Sequence, residues 1–206
     1  MSTPSPATGY VLAGGQSRRL GRDKSLLPWQ KGTLLEHMTR LLATVCHQVF
    51  IAGHQTPILK KKDDQISAWL PDRIPGLGPL GGISTSLHAS STDQNIVVAV
   101  DLPFLTSDFL KYFKERLQRT DRLLTACKIE SAYPLCLGVQ TAFAARIDEY
   151  IAEGRRSVRG LVETADVEII TLEDLRRAGF SADIFANINT ESDYRAALRT
   201  INRDNP

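Results

Sequence analysis

The chain has 206 residues, 42% of them hydrophobic and 23% charged, with a formal net charge of +2. That length and balance suit one globular domain with a single substantial core. The near-neutral charge excludes a strong pull toward nucleic acid or an anionic membrane surface, and no run of about 18 apolar residues is present to span a bilayer.

Residues 1–8 (M-S-T-P-S-P-A-T) lack the cationic and apolar regions of a secretory signal. They read as a flexible tail ahead of one domain over residues 9–206, and a cytoplasmic setting is expected. Gly9 to Ala13 is a short apolar run that predicts the first strand, and Gly14-Gly15 then allow a tight turn. Thr33-Leu34-Leu35-Glu36 is a capping box, followed by Met38, Leu41, Leu42 and Val45 at helical spacing. Gln48 to Gly53 predicts a second strand. Residues 54–75 are polar and irregular apart from Ile66 to Leu70, and Lys60-Lys61-Lys62 before Asp63-Asp64 reads as a solvated loop. Pro75 to Gly82 is glycine-rich and leads into a helix over roughly Ile83 to Ala89.

Ile96-Val97-Val98-Ala99-Val100 is an unbroken apolar run, the mark of a strand buried on both faces, and it ends in Asp101. Thr106-Ser107-Asp108 then caps a helix with Phe109, Leu110, Phe113 and Leu117 on one face. Further along, strands are expected over Leu123 to Cys127, Leu135 to Val139, Val167 to Leu172 and Ile184 to Ile188. Helices are expected over Ala142 to Ala152, Val158 to Glu163 and Thr190 to Ile201. Strands alternating with helices imply an α/β fold of three layers, α/β/α and Rossmann-like, with a mainly parallel sheet.

Cys46, Cys127 and Cys136 form no C-x-x-C pair and read as buried free thiols of a reducing compartment. His37, His47, His54 and His88 have no metal-ligand spacing; structural roles are expected.

The densest chemistry lies in Leu12-Ala13-Gly14-Gly15-Gln16-Ser17-Arg18-Arg19-Leu20-Gly21-Arg22-Asp23-Lys24-Ser25. Backbone N–H groups at a glycine turn, with Arg18, Arg19 and Lys24 close by, are what a polyphosphate needs. A tight structural turn is the plainer account, which the clustered cations weigh against. The segment is not a P-loop, because Gly15 and Gly21 enclose five residues and Arg22 follows. It also lacks the G-x-G-x-x-G of a dinucleotide fold and the G-x-S-x-G of a nucleophile elbow. In an open α/β sheet, ligands bind at the carboxyl ends of strands. Asp101 ends the most apolar strand and stands where a carboxylate can hold Mg²⁺; the alternative is a turn or cap aspartate. Gly76-Leu77-Gly78-Pro79-Leu80-Gly81-Gly82-Ile83 offers close backbone approach at a helix start.

The opening segment resembles the L-A-G-G-x-S-x-R-[ML]-G-x-D-K motif of molybdenum cofactor guanylyltransferases, and Gly14-Gly15 favours that branch over relatives that begin L-A-A-G. Asp101-Leu102-Pro103, the Gly78 to Ile83 stretch and Asn187-Ile188-Asn189-Thr190 fall in that family's motif order, so the resemblance covers about Gly9 to Leu198. Glu191-Ser192 stands where Pro-Glu is usual, and Gly53 where an asparagine is common.

The resemblance implies transfer of GMP from GTP to the phosphate of molybdopterin, with release of pyrophosphate. It assigns Lys24 and Arg18 to the triphosphate and Asp101 to Mg²⁺ and catalysis. GTP would meet Leu12, Ala13, Gly14, Gly15, Lys24, Asp72, Gly78 and Asp101, and guanine would find its acceptors either in Asp72 or in the carbonyls of Leu12 to Gly14. Arg155, Arg156, Asn187 and Asn189 would face the pterin; for the arginines a solvated ion-pair role is equally open, and for Asp72 a surface-loop role. Molybdenum-insertion and molybdoenzyme-chaperone proteins are implied as partners, nucleic acid and membrane are not. Two other readings stay open: a cytidylyltransferase acting on molybdopterin or a small sugar-alcohol phosphate, and a GTP-binding adaptor without turnover.

Overall fold

A computed structural model describes residues 5–14, 20–53 and 68–204. Nine strands are described: β1 (Ala7–Leu12), β2 (Pro28–Trp29), β3 (Gly32–Thr33), β4 (Gln48–Ala52), β5 (Ala68–Leu70), β6 (Gln94–Ala99), β7 (Leu124–Lys128), β8 (Cys136–Gln140) and β9 (Val167–Thr171). Seven α-helices accompany them: α1 (Leu34–Ala43), α2 (Pro79–Ala89), α3 (Ser107–Arg119), α4 (Ala144–Ala152), α5 (Val158–Thr164), α6 (Leu172–Arg177) and α7 (Glu191–Asp204).

Seven strands form one sheet in the order β5-β4-β1-β6-β8-β7-β9, while β2 and β3 form a separate hairpin. Strand residues alternate between the faces. Val11, Ile96 and Val98 join a core with Leu34, Leu42, Phe109 and Phe113 of α1 and α3. Tyr10, Leu12 and Val97 face Leu80, Ile83 and Leu87 of α2, Ile147 and Tyr150 of α4, and Leu161 of α5. Both faces of the sheet are thus covered by helices, which suits the unbroken apolar run from Ile96 to Ala99 in the central strand. The three expected thiols are buried, and burial pushes Cys46 and Cys127 up to about 12.

The expected three-layer architecture and mainly parallel sheet are present, with β8 running antiparallel to both β6 and β7. That reversal sends the β7–β8 connection back across the end of the sheet where β1 and β6 finish. Local boundaries shift in several places. β1 starts at Ala7, inside the expected tail, and pairs from there with Gln94. α2 begins at Pro79 instead of near Ile83, because Gly78 takes a φ of 59° and Pro79 lacks only an N–H that a first helical turn cannot use.

The expected strand over Ile184 to Ile188 is absent. Ala182–Phe185 is a 3₁₀ turn, capped by the Ser181 hydroxyl that accepts from the Asp183 amide, and Phe185 packs edge-on against Phe109 at 5.1 Å. Tertiary packing of one aromatic ring overrides the apolar run there. The β2–β3 hairpin and α6 were not expected; α6 starts on a Thr171–Asp174 capping box. Lys60 to Lys62 and His54 lie outside the described residues.

Candidate active site

The carboxyl ends of β1 and β6 open into a cavity of about 640 Å³, within the usual range for small-molecule sites. One wall holds Leu12, Ala13, Gly14, Asp23, Lys24, Pro79 and Asp101. The Ala13 amide still bonds the Ala52 carbonyl at 3.0 Å, and the Val100 amide bonds the Leu12 carbonyl at 3.1 Å, so the chain leaves the sheet abruptly at Gly14. Gly53 explains the missing asparagine at that position. It has a φ of 121°, and a Cβ there would lie 2.6 Å from the Gly14 nitrogen. No side chain fits between these two backbones. Gly15 and Arg18, both assigned to the triphosphate, lie outside the described residues.

Lys24 opens a 3₁₀ turn, Lys24–Leu26, whose start is fixed by Asp23: its carboxylate accepts from the Ser25 amide at 2.9 Å and from the Ser25 hydroxyl at 2.7 Å. The lysine Nζ donates to Asp101 Oδ2 at 3.1 Å and to Asn189 Oδ1 at 2.7 Å. The Lys24 and Asp101 side chains are 16% and 23% exposed, enough to meet a ligand and sheltered enough to resist screening. The Asp101 carbonyl in turn accepts from the Ile188 amide at 3.0 Å, which ties the end of β6 to the approach to α7.

That approach is itself locked. Asp193 Oδ2 accepts from the Asn189 amide at 2.9 Å and from the Thr190 amide at 2.8 Å, while the Thr190 hydroxyl accepts from the Asp193 amide at 3.1 Å. These bonds, led by the Asn189 amide, hold the Asp193 carboxyl below the usual carboxylate range. Thr190 is therefore the helix cap its sequence position predicts.

The rest of the lining includes Asn187, which the sequence reading expected to face a substrate, and Ile129, Ala132, Tyr133, Pro134, Leu135, Asp183 and Phe185, which it missed. Ile129 and Ala132 exchange two backbone hydrogen bonds at 2.9 and 2.8 Å around Glu130, which has a φ of 53°. This tight turn presents Tyr133 beneath the Lys128 ammonium, 5.9 Å from the ring centre. Apart from the motif around Asn187, no local signal pointed to this wall; its residues 129–135 lie in the β7–β8 connection, and Asp183 and Phe185 in the 3₁₀ turn after α6.

Of the residues expected to face substrates, the structure brings together Leu12, Ala13, Gly14, Lys24, Asp101, Asn187 and Asn189. Asp72 lies beside the first turn of α2, with its carboxyl carbon 4.0 Å from where a Gly81 Cβ would sit, and neither it nor Gly78 is part of the cavity lining. Arg155 and Arg156 are not brought to the cavity. Arg155 pairs with Glu153 at 3.1 Å and lies over the Tyr150 ring, and Arg156 donates to the Ile151 carbonyl at 3.4 Å.

Among the described residues, no group of three His, Cys, Asp or Glu side chains is gathered to hold a metal. Asp101 nevertheless fits a hard divalent cation. Its Oδ2 already faces a cation, the Lys24 ammonium, at the cavity edge, and Mg²⁺ is commonly held by one or two carboxylates with substrate phosphates completing the shell.

Gly14 past the end of the first strand, Lys24, and Asp101 at the end of the central strand line one cavity of an α/β fold. The chain matches the MobA-like NTP transferase domain over residues 9–169 and belongs to that family of nucleotidyltransferases. It is 35% identical over 202 residues to a probable molybdenum cofactor guanylyltransferase of Mycobacterium bovis, covering 94% of each chain. In fold it is similar to molybdopterin-guanine dinucleotide biosynthesis protein A from Archaeoglobus fulgidus, with a TM-score of 0.80 and 22% identity over 95% of this chain and 99% of the other. It is also similar to Rv0371C of Mycobacterium tuberculosis H37Rv, solved as a manganese complex, with a TM-score of 0.62 and 14% identity over 95% and 100% of the two chains.

Proposed function

We propose that this nucleotidyltransferase acts in molybdenum cofactor biosynthesis, transferring GMP from GTP to the terminal phosphate of molybdopterin and releasing pyrophosphate. One observation carries the reading: a single cavity has a cationic, glycine-lined wall at the end of β1 and a separate wall at the β7–β8 turn. That arrangement suits two substrates meeting end to end. The guanylyltransferase name of the relative supplies the nucleotide and the acceptor.

The attacking phosphate is already anionic, so the chain need not supply a general base. Its work is to align two polyanions and neutralise their charge. Leu12 to Gly14 would seat the nucleotide against backbone, with guanine selected by carbonyls of that segment or by Asp72. Lys24 would stabilise the departing pyrophosphate, and Arg18 would join it there. Asp101 would hold Mg²⁺, which when bound draws charge from the reacting phosphoryl group. Asn187, exposed on the acceptor wall, would donate to the pterin.

Hydrogen bonds to charged groups contribute about 1.5–3 kcal/mol, so Lys24→Ala should lower turnover roughly ten- to a hundredfold. The deciding assay is pyrophosphate release from GTP, CTP, ATP and UTP with purified molybdopterin. GTP alone should support it, because a site built to hydrogen-bond guanine leaves polar groups unpaired with cytosine. Preferred use of CTP would make the enzyme a cytidylyltransferase, and tight GTP binding without pyrophosphate would make it an adaptor.

A further inference from the structure

Asn189 was expected to touch the pterin, yet its side-chain oxygen is already committed to Lys24 at 2.7 Å. An ammonium has three donors and no acceptor. One goes to Asp101 and one to Asn189, which leaves a single N–H to turn toward the cavity. The asparagine is held in turn by its own amide on Asp193.

Three more contacts, made by Arg22 and Pro28, join the same pair of segments. Arg22 Nη2 meets Glu191 Oε2 at 2.8 Å, and its guanidinium lies over the Tyr194 ring at 5.4 Å. The Tyr194 hydroxyl donates to the Pro28 carbonyl at 2.6 Å. Residues 22–28, just past the glycine bend, are thus fastened at three points to residues 189–194, at the far end of the chain.

We propose that Asn189 is a positioning residue: with the first turn of α7 it fixes the Lys24 ammonium toward the nucleotide phosphates, and it does not act as a ligand of the acceptor. This rests on the reading of Lys24 as a phosphate contact. The first turn of α7 then aims a group on the nucleotide wall, although its sequence position suggests the acceptor wall.

The test is a double-mutant cycle on Mg·GTP affinity, measured by calorimetry on the full chain, together with the KM for molybdopterin. Asn189→Ala should weaken GTP binding about three- to tenfold, the loss of one ordinary hydrogen bond. In a Lys24→Ala background the same change should add less than about twofold. The molybdopterin KM should move by less than about twofold. In the free enzyme, the ¹⁵N–¹H signal of the Lys24 ammonium, protected from solvent exchange by its two acceptors, should vanish in Asn189→Ala and persist in Asn189→Asp, which keeps the acceptor oxygen.

An equal loss with and without Lys24, no loss of GTP affinity, or a rise in the molybdopterin KM alone would overturn the assignment. If Lys24→Ala itself left GTP affinity unchanged, the phosphate role of the lysine would fall and the positioning role with it. A surviving ammonium signal in Asn189→Ala would refute only the positioning.

Discussion

The two walls of the cavity, proposed above for the nucleotide and for the acceptor, differ in how they are held. On the nucleotide wall, β1 and β6 run parallel and end side by side at Leu12 and Ala99, each two residues before Gly14 and Asp101. On the acceptor wall, β7 and β8 run antiparallel, and Tyr133 and Asp183 come from a turn and a 3₁₀ segment. Behind that second wall stands an aromatic cluster in which Phe109 meets Phe180, Phe185 and Phe113 at 5.6, 5.1 and 5.7 Å. Parallel pairing of β1 and β6 leads into the first wall, whereas the Phe185 part of the second rests on aromatic packing. Changes in the core should therefore reach the two substrates unequally.

The largest effect is expected from Phe109→Ala. This fully buried ring should cost about 3–5 kcal/mol of stability in urea unfolding. At temperatures where the variant stays folded, the acceptor KM should rise more than the GTP KM. Equal changes in both would show that the walls do not differ in this way. Asp101→Asn strikes the nucleotide wall instead: turnover should fall about a hundredfold or more, since a bound cation contributes several kcal/mol to phosphoryl transfer. Stability should be little changed, and full activity in this variant would remove Asp101 from the chemistry.

A smaller effect is expected behind the nucleotide wall, at the start of α1. The Thr33 hydroxyl accepts from the Glu36 amide at 3.2 Å, and Glu36 returns the bond to the Thr33 amide at 2.7 Å. Thr33→Ala should cost about 1 kcal/mol without altering either KM, as calorimetric unfolding and steady-state kinetics would show.

The gentlest probe is pH. His37 of α1 bonds the Pro103 carbonyl at 2.9 Å, just past Asp101, and burial holds its pKa below the ordinary 6.5. The unfolded chain then binds the proton more readily than the folded one. The stability from neutral His37 is full above pH 6.5 and is lost as pH falls from there through the depressed folded value. His37→Gln should flatten the stability profile in that window, above the range where Asp193 and Glu191 titrate. An unchanged profile would show that the ring keeps its ordinary pKa.

Much of the nucleotide wall could be read from the residues because its signals are local. A glycine pair follows a strand, an aspartate ends an apolar run, and a lysine lies ten residues past Gly14. The Thr33–Glu36 capping box and the buried β-branched strand were legible for the same reason. Apart from Asn187, the other wall was not, since the β7–β8 connection carrying Tyr133 reaches the cavity only because β8 runs antiparallel, and strand direction leaves no mark on a five-residue run. The Ile184 to Ile188 segment failed as a strand because Phe185 is claimed by Phe109. The role of Asn189 was hidden in another way: its motif suggested a substrate, while its partner lies 165 residues away.

The central claim is that the bend at Gly14, Lys24 and Asp101 together receive a nucleoside triphosphate. A crystal of the enzyme with a non-hydrolysable GTP analogue and Mn²⁺ tests it most directly, because the metal's anomalous signal locates the cation independently of the nucleotide. The account predicts the metal against Asp101 and the phosphates between Gly14 and Lys24. Metal and phosphates bound elsewhere would contradict it.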